Sequence, residues 1–276
     1  MHTRHIFLHQ VKTAGKTVEK FLLRKYGDQY RKTTLIFKGE SLDNIFDILK
    51  STEQDKITEL NKAKAISGHF PYGLHEMIDG PCRYFTLLRN PVSRVRSFYA
   101  YSLKNEGSKI HRYLTENDIS FEQFVQMEKA DIERSGVHEL NYVLEDGQAK
   151  IVAGEDILVG EGSTQHLLQK SYDNITKDFD FVGVTEMFDD SFIEITKSLG
   201  FGVFNLYITQ NRSTVKVDVS DDIKNIILQR NPVDSVLHDK YYQELKNVST
   251  SAGHKVAKAY LKFGTIAADY YVKIRL

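Results

Sequence analysis

A loop of small and cationic residues follows the first apolar run of the chain. The stretch HQVKTAGKT, residues 9–17, comes directly after IFL and ends in Gly-Lys-Thr, as P-loops do. Ala14 and Gly15 are small enough to let backbone amides approach an anion, and the N-terminus of a following helix adds partial positive charge. Further donors come from the side chains of Lys12, Lys16 and Thr17. The stretch therefore predicts a phosphate-type binding loop, although an ordinary strand-to-helix turn with solvated lysines has the same composition.

The loop departs from the nucleotide-binding P-loop at its first position. The pattern G-x-x-x-x-G-K-[ST] places a glycine at position 10, where this chain has Gln10. A kinase would also need an acidic magnesium ligand at a strand end, and the segment FVGVTE offers only Glu186. An ATP-dependent small-molecule kinase is therefore the second-ranked hypothesis.

A second candidate anion site lies in LLRNPVSRVRSFYAY, residues 87–101. Arg89 ends a predicted strand, and Ser97 falls in the second turn of the helix that follows. An arginine can grip a phosphate through two parallel N–H donors, and a hydroxyl adds another. Taken alone, the pair is equally compatible with an arginine bound to a surface carboxylate and a serine packed within its helix.

One histidine is a candidate general base. His69 comes directly after Gly68, where another predicted strand stops, and an unperturbed histidine, with a pKa of about 6.5, is suited to proton abstraction near neutral pH. A histidine after a strand is also often purely structural. His75 and Glu76 are weaker candidates for the base, and Glu186 is expected to orient other groups.

Alternating strands and helices position these residues. Apolar runs predict strands at residues 5–9, 63–70, 82–89 and 179–186. One helix is predicted after the first strand and one after the third, and further helices are predicted at 42–50, 54–62 and 189–200 and through most of the chain from 220 onward. The segment 104–170 is predicted to be helix and loop, with a capping box at Ser120. We expect one α/β domain, residues 1–276, with a P-loop-like central parallel sheet flanked by helices and a largely helical C-terminal part. Ligands bind such sheets at the carboxyl ends of the strands.

Composition limits the partners and the compartment. The 37 basic and 37 acidic side chains balance, so nothing predicts binding to nucleic acid or an anionic membrane. A single cysteine, Cys82, excludes an internal disulfide framework. No run approaches the roughly 20 apolar residues of a membrane span, and no signal peptide is recognisable, so a soluble cytoplasmic protein is expected. The sequons at Asn174, Asn211 and Asn247 are then chance matches.

Together the two loops resemble the carbohydrate sulfotransferases that use 3′-phosphoadenosine 5′-phosphosulfate (PAPS), particularly the heparan sulfate 2-O- and 6-O-sulfotransferase group. HQVKTAGKT is similar to that family's H-[IV]-P-K-T-[AG]-G-T-[ST], and LRNPVSRVRSFY, residues 88–99, meets L-R-[DN]-P-[VI]-x-R-x-x-S-x-[YF]. QAKIVAG, residues 148–154, and FVGVTEMFDDSF, residues 181–192, are similar to two further segments of the family. Val11 departs from the family's usual proline, and Lys16 stands where threonine or glycine is common.

The resemblance implies a donor, a mechanism and an acceptor class. PAPS would be the donor co-substrate, bound without a metal, and Lys12 would lie beside the transferring sulfuryl group as a catalytic residue. The remaining contacts to the 5′-phosphosulfate would come from Thr13, Ala14, Gly15, Lys16 and Thr17. Arg89 and Ser97 would hold the 3′-phosphate, and His69 would be the general base. The acceptor would be a hydroxyl of a glycan or a small molecule. A non-catalytic glycan- or nucleotide-binding protein on the same scaffold is an alternative of another class.

Overall fold

The computed structural model describes residues 3–33, 54–137, 139–155, 163–208 and 217–275. The helix predicted at 42–50 and the sequon at Asn211 lie outside these ranges.

Five parallel strands form one sheet in the order β2-β3-β1-β4-β5. The strands are β1 (Arg4–Leu8), β2 (Tyr30–Thr33), β3 (Ala65–Gly68), β4 (Cys82–Leu88) and β5 (Phe179–Val184). Leu8, at the end of the central strand β1, aligns with Gly68 of β3 and Thr86 of β4. Because every pair of neighbouring strands is parallel, the carboxyl ends of all five strands lie at the same end of the sheet.

Thirteen α-helices occur within the described residues, and the four strands predicted from the sequence are all present. The helices are α1 (Gly15–Tyr26), α2 (Gln54–Lys62), α3 (Pro91–Ser102), α4 (Lys109–Glu116), α5 (Phe121–Val125), α6 (Lys129–Ser135), α7 (Glu139–Leu144), α8 (Gly147–Ala153), α9 (Thr164–Asp178), α10 (Phe188–Ser198), α11 (Asp221–Arg230), α12 (Pro232–Val248) and α13 (Ala252–Arg275). The expected α/β fold with a parallel sheet and a helical C-terminal part is confirmed. None of the described helices is long and apolar enough to cross a bilayer.

The strands β1, β3 and β4 are buried on both faces along most of their length, as expected when crossover helices cover a parallel sheet. Alternate residues of β1 point to opposite faces, so Ile6 and Leu8 join one apolar cluster while Phe7 joins the other. The larger cluster includes buried residues of α3 to α9, α11 and α12, and the smaller one includes those of α1, α10 and α13. The two clusters pack against opposite faces of the sheet and so support the strands that carry the site.

Local signals set the element boundaries next to the site. The Asn90 side chain accepts a hydrogen bond from the Ser93 N–H at 3.2 Å, and Pro91 occupies the first position of α3, as the sequence predicts. The predicted capping box at Ser120 is also present, with Gln123 as its partner. The strand β2 was not predicted, because its sequence YRKT is short and mostly polar.

Candidate functional site

A cavity of about 330 Å³ opens at the carboxyl ends of the strands. Its lining residues follow β1, β3, β4 and β5 or lie on α1 and α3: His9, Val11, Lys12, Thr13, Ala14, Gly15, Lys16, His69, Arg89, Ser97, Tyr101 and Thr185. All the residues to which the resemblance assigns a role in the site are in this set except Thr17. None of the lining residues in the described part of the chain is acidic. We refer to this space as the strand-end cavity.

The loop between β1 and α1 has an unusual backbone. Lys12 and Ala14 adopt the left-handed conformation with φ of 66° and 63°, although neither is glycine. Such left-handed positions are typical of concave turns that present backbone N–H groups to an anion. The buried Thr13 hydroxyl donates to the Gln10 carbonyl at 2.9 Å, and the N–H of Thr17, also buried, donates to the Ala14 carbonyl at 3.1 Å. Thr13 and Thr17 thus lie in the interior of the turn.

Gly15 is the first residue of α1, and it lies against the imidazole of His9. A Cβ atom at this position would be 2.1 Å from both Cδ2 and Nε2 of His9. No side chain fits there unless the imidazole moves. The glycine of the Gly-Lys-Thr motif is therefore required for space.

Gln10 occupies the position at which a P-loop has its first glycine, and its side chain is fully buried. The amide nitrogen donates to the Gln148 carbonyl at 3.2 Å, and the amide oxygen accepts from the Tyr142 hydroxyl. Gln10 therefore anchors the loop to α7 and α8. This role explains the departure from the P-loop pattern in structural terms.

The loop carries Lys12 and Lys16, and no carboxylate of the described residues lines the cavity beside them. The Lys12 ammonium lies 4.0 Å from the centre of the Tyr101 ring. Burial lowers the pKa of Lys12 to about 8, and the neighbouring charges of Arg89 and Lys16 contribute further. An anion bound among these groups would relieve their mutual repulsion.

Arg89, directly after β4, is tied to the same loop. Its Nη1 donates to the Lys12 carbonyl at 2.8 Å, and its backbone N–H and carbonyl are both bonded to the Gln148 side chain. Its Nε–H is buried and has no hydrogen-bond partner in the described part of the chain. Buried guanidinium donors are usually satisfied, so this free N–H is suited to an anionic ligand. Ser97 lines the cavity from α3.

His69 is fixed in one tautomer. Its Nδ1 lies 2.6 Å from the His9 carbonyl, and because a carbonyl only accepts, Nδ1 must carry the hydrogen. Nε2 then has the free lone pair that a base needs. Burial lowers the pKa of His69 to about 4, and the adjacent His9 adds to this effect. The expected pKa of about 6.5 is therefore not met, and the imidazole is neutral at neutral pH.

A buried polar network lies behind His69. The ring centres of His9 and His69 are 4.3 Å apart, and His9 Nδ1 is 2.9 Å from the Glu19 carboxylate. Glu19 also accepts from Lys32 at 2.7 Å and from Ser67 at 3.2 Å. Burial alone would raise the pKa of Glu19, but its hydrogen bonds with His9 and Lys32 lower it to about 2.

Sequence reasoning missed this network, although a signal was present. Glu19 falls on the apolar face of α1, between Val18 and Leu22, where a charged residue is unusual unless it is paired. Tyr101 and Thr185 were also missed. They join the cavity only through the packing of α3 and β5.

The weaker candidates for the base do not line the cavity. His75 bonds to the Tyr84 hydroxyl at 3.0 Å near the start of β4, toward the amino ends of the strands, and its neighbour Glu76 is exposed. Glu186 accepts from the Asn90 N–H at 3.1 Å and lies 3.0 Å from His238 Nε2, so it holds the start of α3. Among the described residues, no three His, Cys, Asp or Glu side chains are grouped to hold a metal ion.

Comparisons with known proteins identify the fold. No protein-family model matches the chain, and no curated protein matches it. A solved structure, the sulfotransferase from Alicyclobacillus acidocaldarius, is similar with a TM-score of 0.50 and 14% sequence identity, over 87% of this chain and 96% of that chain. The chain therefore has a sulfotransferase-like α/β fold. These comparisons do not test the resemblance to the heparan sulfate subgroup, which stays a prediction from the motifs.

Proposed function

We propose that this protein transfers a sulfuryl group from PAPS to a hydroxyl acceptor, either a glycan or a small molecule. The observation that carries the proposal is the convergence of Lys12, Arg89 and His69 on one cavity that has no acidic lining residue in the described part of the chain. The sulfotransferase-like fold supports the same class of reaction.

The cavity suits a donor with two anionic ends. The loop at 12–17 and the N-terminus of α1 would hold the 5′-phosphosulfate, with Gly15 allowing close approach. The free Nε–H of Arg89 and the hydroxyl of Ser97 would hold the 3′-phosphate. ATP has no 3′-phosphate to use the second set of donors.

The reaction assigns a separate task to each group. PAPS supplies a sulfuryl group bonded to a phosphate oxygen that leaves with the electron pair of the S–O bond. An acceptor hydroxyl oxygen forms the new bond to sulfur, and its proton passes to the free Nε2 of His69. The ammonium of Lys12 would stabilise the charge on the leaving oxygen. Positioning and charge stabilisation supply most of the effect in such in-line transfers.

The kinase hypothesis rests on the sequence Gly-Lys-Thr. Gln10 fills the position of the first P-loop glycine, and the Glu186 carboxylate is already engaged by Asn90 and His238. These contacts favour sulfuryl transfer over an ATP-dependent reaction.

Turnover of radiolabelled PAPS against a panel of glycans and small alcohols tests the proposal, and label in an acceptor is the expected result. In parallel, 3′-phosphoadenosine 5′-phosphate (PAP) should raise the melting temperature more than ATP does. Equal stabilisation by ATP, or a strict magnesium requirement, would favour a kinase. Binding of PAP without transfer to any acceptor would favour the non-catalytic alternative.

A further inference from the structure

Gln148, in α8, holds the backbone of Arg89 on both sides. Its Oε1 accepts from the Arg89 N–H at 2.8 Å, and its Nε2 donates to the Arg89 carbonyl at 2.9 Å. The amide thus pairs with Arg89 as a neighbouring strand would. Both bonds are to the backbone of the residue that follows β4, and the hydrogen bond of the guanidinium is to the Lys12 carbonyl.

The backbone of the same residue reaches the other anion-binding element. The Gln148 carbonyl accepts from the amide of Gln10, which belongs to the loop after β1. Gln10 and Gln148 are both fully buried. One residue of α8 therefore connects the loop at 9–17 with the end of β4.

Gln148 is itself held in place by a buried carboxylate. Asp234 Oδ2 accepts from Nε2 of Gln148 at 3.1 Å and from its N–H at 3.3 Å, while Oδ1 accepts from the Ala149 N–H at 2.8 Å. Arg94 pairs with the same carboxylate at 3.3 Å. Gln148, Asp234 and Arg94 are all buried. Removing the polar side chain of any one of them therefore leaves a buried polar atom of a neighbour without that partner.

We propose that Gln148 is a positioning residue that sets the separation between the loop at 12–17 and the Arg89 guanidinium, and so determines selectivity for nucleotides with both a 5′- and a 3′-phosphate. This inference rests on the proposed function, since it needs both elements to bind one nucleotide. If the separation changes, a nucleotide can engage one element well but not both. The benefit of the 3′-phosphate is then lost while binding of the 5′ end persists.

The test is the ratio of the affinities for PAP and adenosine 5′-monophosphate (AMP), measured by calorimetry on folded protein. Gln148→Met keeps the length of the side chain but removes both hydrogen bonds to Arg89, and Gln148→Glu replaces the donor with a second acceptor. We expect each substitution to lower the PAP-to-AMP affinity ratio by roughly 10-fold or more, the effect of losing a good hydrogen bond to a charged group. The affinity for AMP itself should change much less.

Asn174→Ala is the matched control. The Asn174 amide donates to the carbonyls of Val152 and Ala153 at 3.0 Å, so it supports the same helix α8 from α9 without contacting the cavity. Its loss should lower stability and leave the ratio unchanged. If circular dichroism shows that both Gln148 variants fail to fold, Gln10→Met tests the other end of the connection and should lower the same ratio.

Three results would overturn the inference. An unchanged ratio in a folded Gln148 variant, with the wild-type preference for PAP intact, would remove the positioning role and leave the proposed function standing. An equal fall in the Asn174 control would reduce Gln148 to a general structural role. A wild-type ratio near one would count against the 3′-phosphate assignment and the inference together.

Discussion

At the scale of single residues, close packing decides which side chains the site accepts. Gly15→Ala would place a Cβ atom 2.1 Å from the His9 ring, while His9 is held from its other side by Glu19. We expect the substitution to cost roughly 1 to 3 kcal/mol of stability, the usual cost of overpacking, and to weaken PAP binding. Urea denaturation and calorimetry measure the two effects.

Gly253→Ala is the control for this prediction, because a Cβ atom there meets nothing within 4 Å. It should leave stability the same or slightly higher, since alanine favours a helix more than glycine does. Equal behaviour of the two variants would show that the His9 ring has room to move.

His69 is the residue on which the proposed chemistry depends. His69→Ala should lower the transfer rate by roughly 10²- to 10⁴-fold, the usual contribution of a general base, while PAP affinity stays near that of the wild type. Single-turnover kinetics with a verified acceptor gives the rate. His75→Ala, at the other end of the sheet, should retain the wild-type rate. Near-normal turnover in the His69 variant would make His69 structural.

The environment of His69 also predicts a pH profile. Burial lowers its pKa to about 4, so the imidazole stays unprotonated as the pH falls through the neutral range. The acid limb of kcat/KM, which reports the free enzyme, should therefore appear near pH 4. An acid limb near pH 6.5 that disappears in the alanine variant would show that the imidazole is more solvated than its packing indicates.

At the scale of elements, the start of α3 sets the position of Ser97. Asn90→Ala removes the side-chain bond to the Ser93 N–H and should cost about 1 kcal/mol, as loss of an N-cap usually does. PAP binding should weaken as well, because α3 contributes Ser97 to the cavity. Chemical denaturation and PAP titration provide the readouts.

The cap of α9 is the comparison for this variant. The Ser163 side chain accepts from the His166 N–H at 3.2 Å, so Ser163→Ala should cost a similar amount of stability without affecting PAP affinity. A fall in affinity of the same size in both variants would mean that general destabilisation, and not the position of α3, explains the loss.

The elements that carry the site were predictable because their signals are local. An apolar run followed by small and cationic residues predicted β1 and the loop after it, and Asn90 with Pro91 predicted the start of α3. The strand β2 lacks such a signal, since its polar side chains suit an edge strand as well as a loop. The helices between 104 and 170 were predicted only in outline, because they are short and their boundaries are set by tertiary packing.

The connections between elements were not predictable from local patterns. Gln148 bonds to Arg89, 59 positions away in sequence, and to Gln10, 138 positions away. Nothing in the composition of either segment specifies the other. Motif resemblance placed Gln148 in a supporting segment but assigned it no contact, so its role became visible only once the chain was folded.

At the scale of the whole molecule, acidic and basic side chains are unevenly distributed around the cavity even though the net charge is zero. The 37 acidic side chains balance the 37 basic ones, yet no acidic residue of the described part lines the cavity. Two carboxylates near the cavity are instead buried and paired with basic side chains: Glu19 pairs with His9 and Lys32, and Asp234 pairs with Arg94. Local arrangement, and not net charge, therefore gives the strand-end cavity its attraction for anions.

One buried carboxyl makes the stability of the whole molecule depend on pH. Asp146, beside α8, accepts a hydrogen bond from the Asp234 N–H at 2.9 Å. Burial, together with the nearby Asp234 charge, raises the pKa of Asp146 from an ordinary value of about 4 to about 7. The folded state thus binds this proton more tightly than the unfolded state does. The resulting stabilisation is complete below about pH 4 and is lost as the pH rises through 7.

Asp146→Asn should remove that loss, because the amide stays neutral and its oxygen can still accept from the Asp234 N–H. Asparagine also tolerates the left-handed conformation at this position, where φ is 46°. Urea denaturation from pH 5 to pH 8 should show the variant gaining stability relative to the wild type as the pH rises. Asp221→Asn, at an exposed site on α11, controls for the loss of a surface carboxylate. A stability difference between Asp146→Asn and wild type that stays constant over this range would mean that Asp146 is already ionised in the folded protein at pH 5.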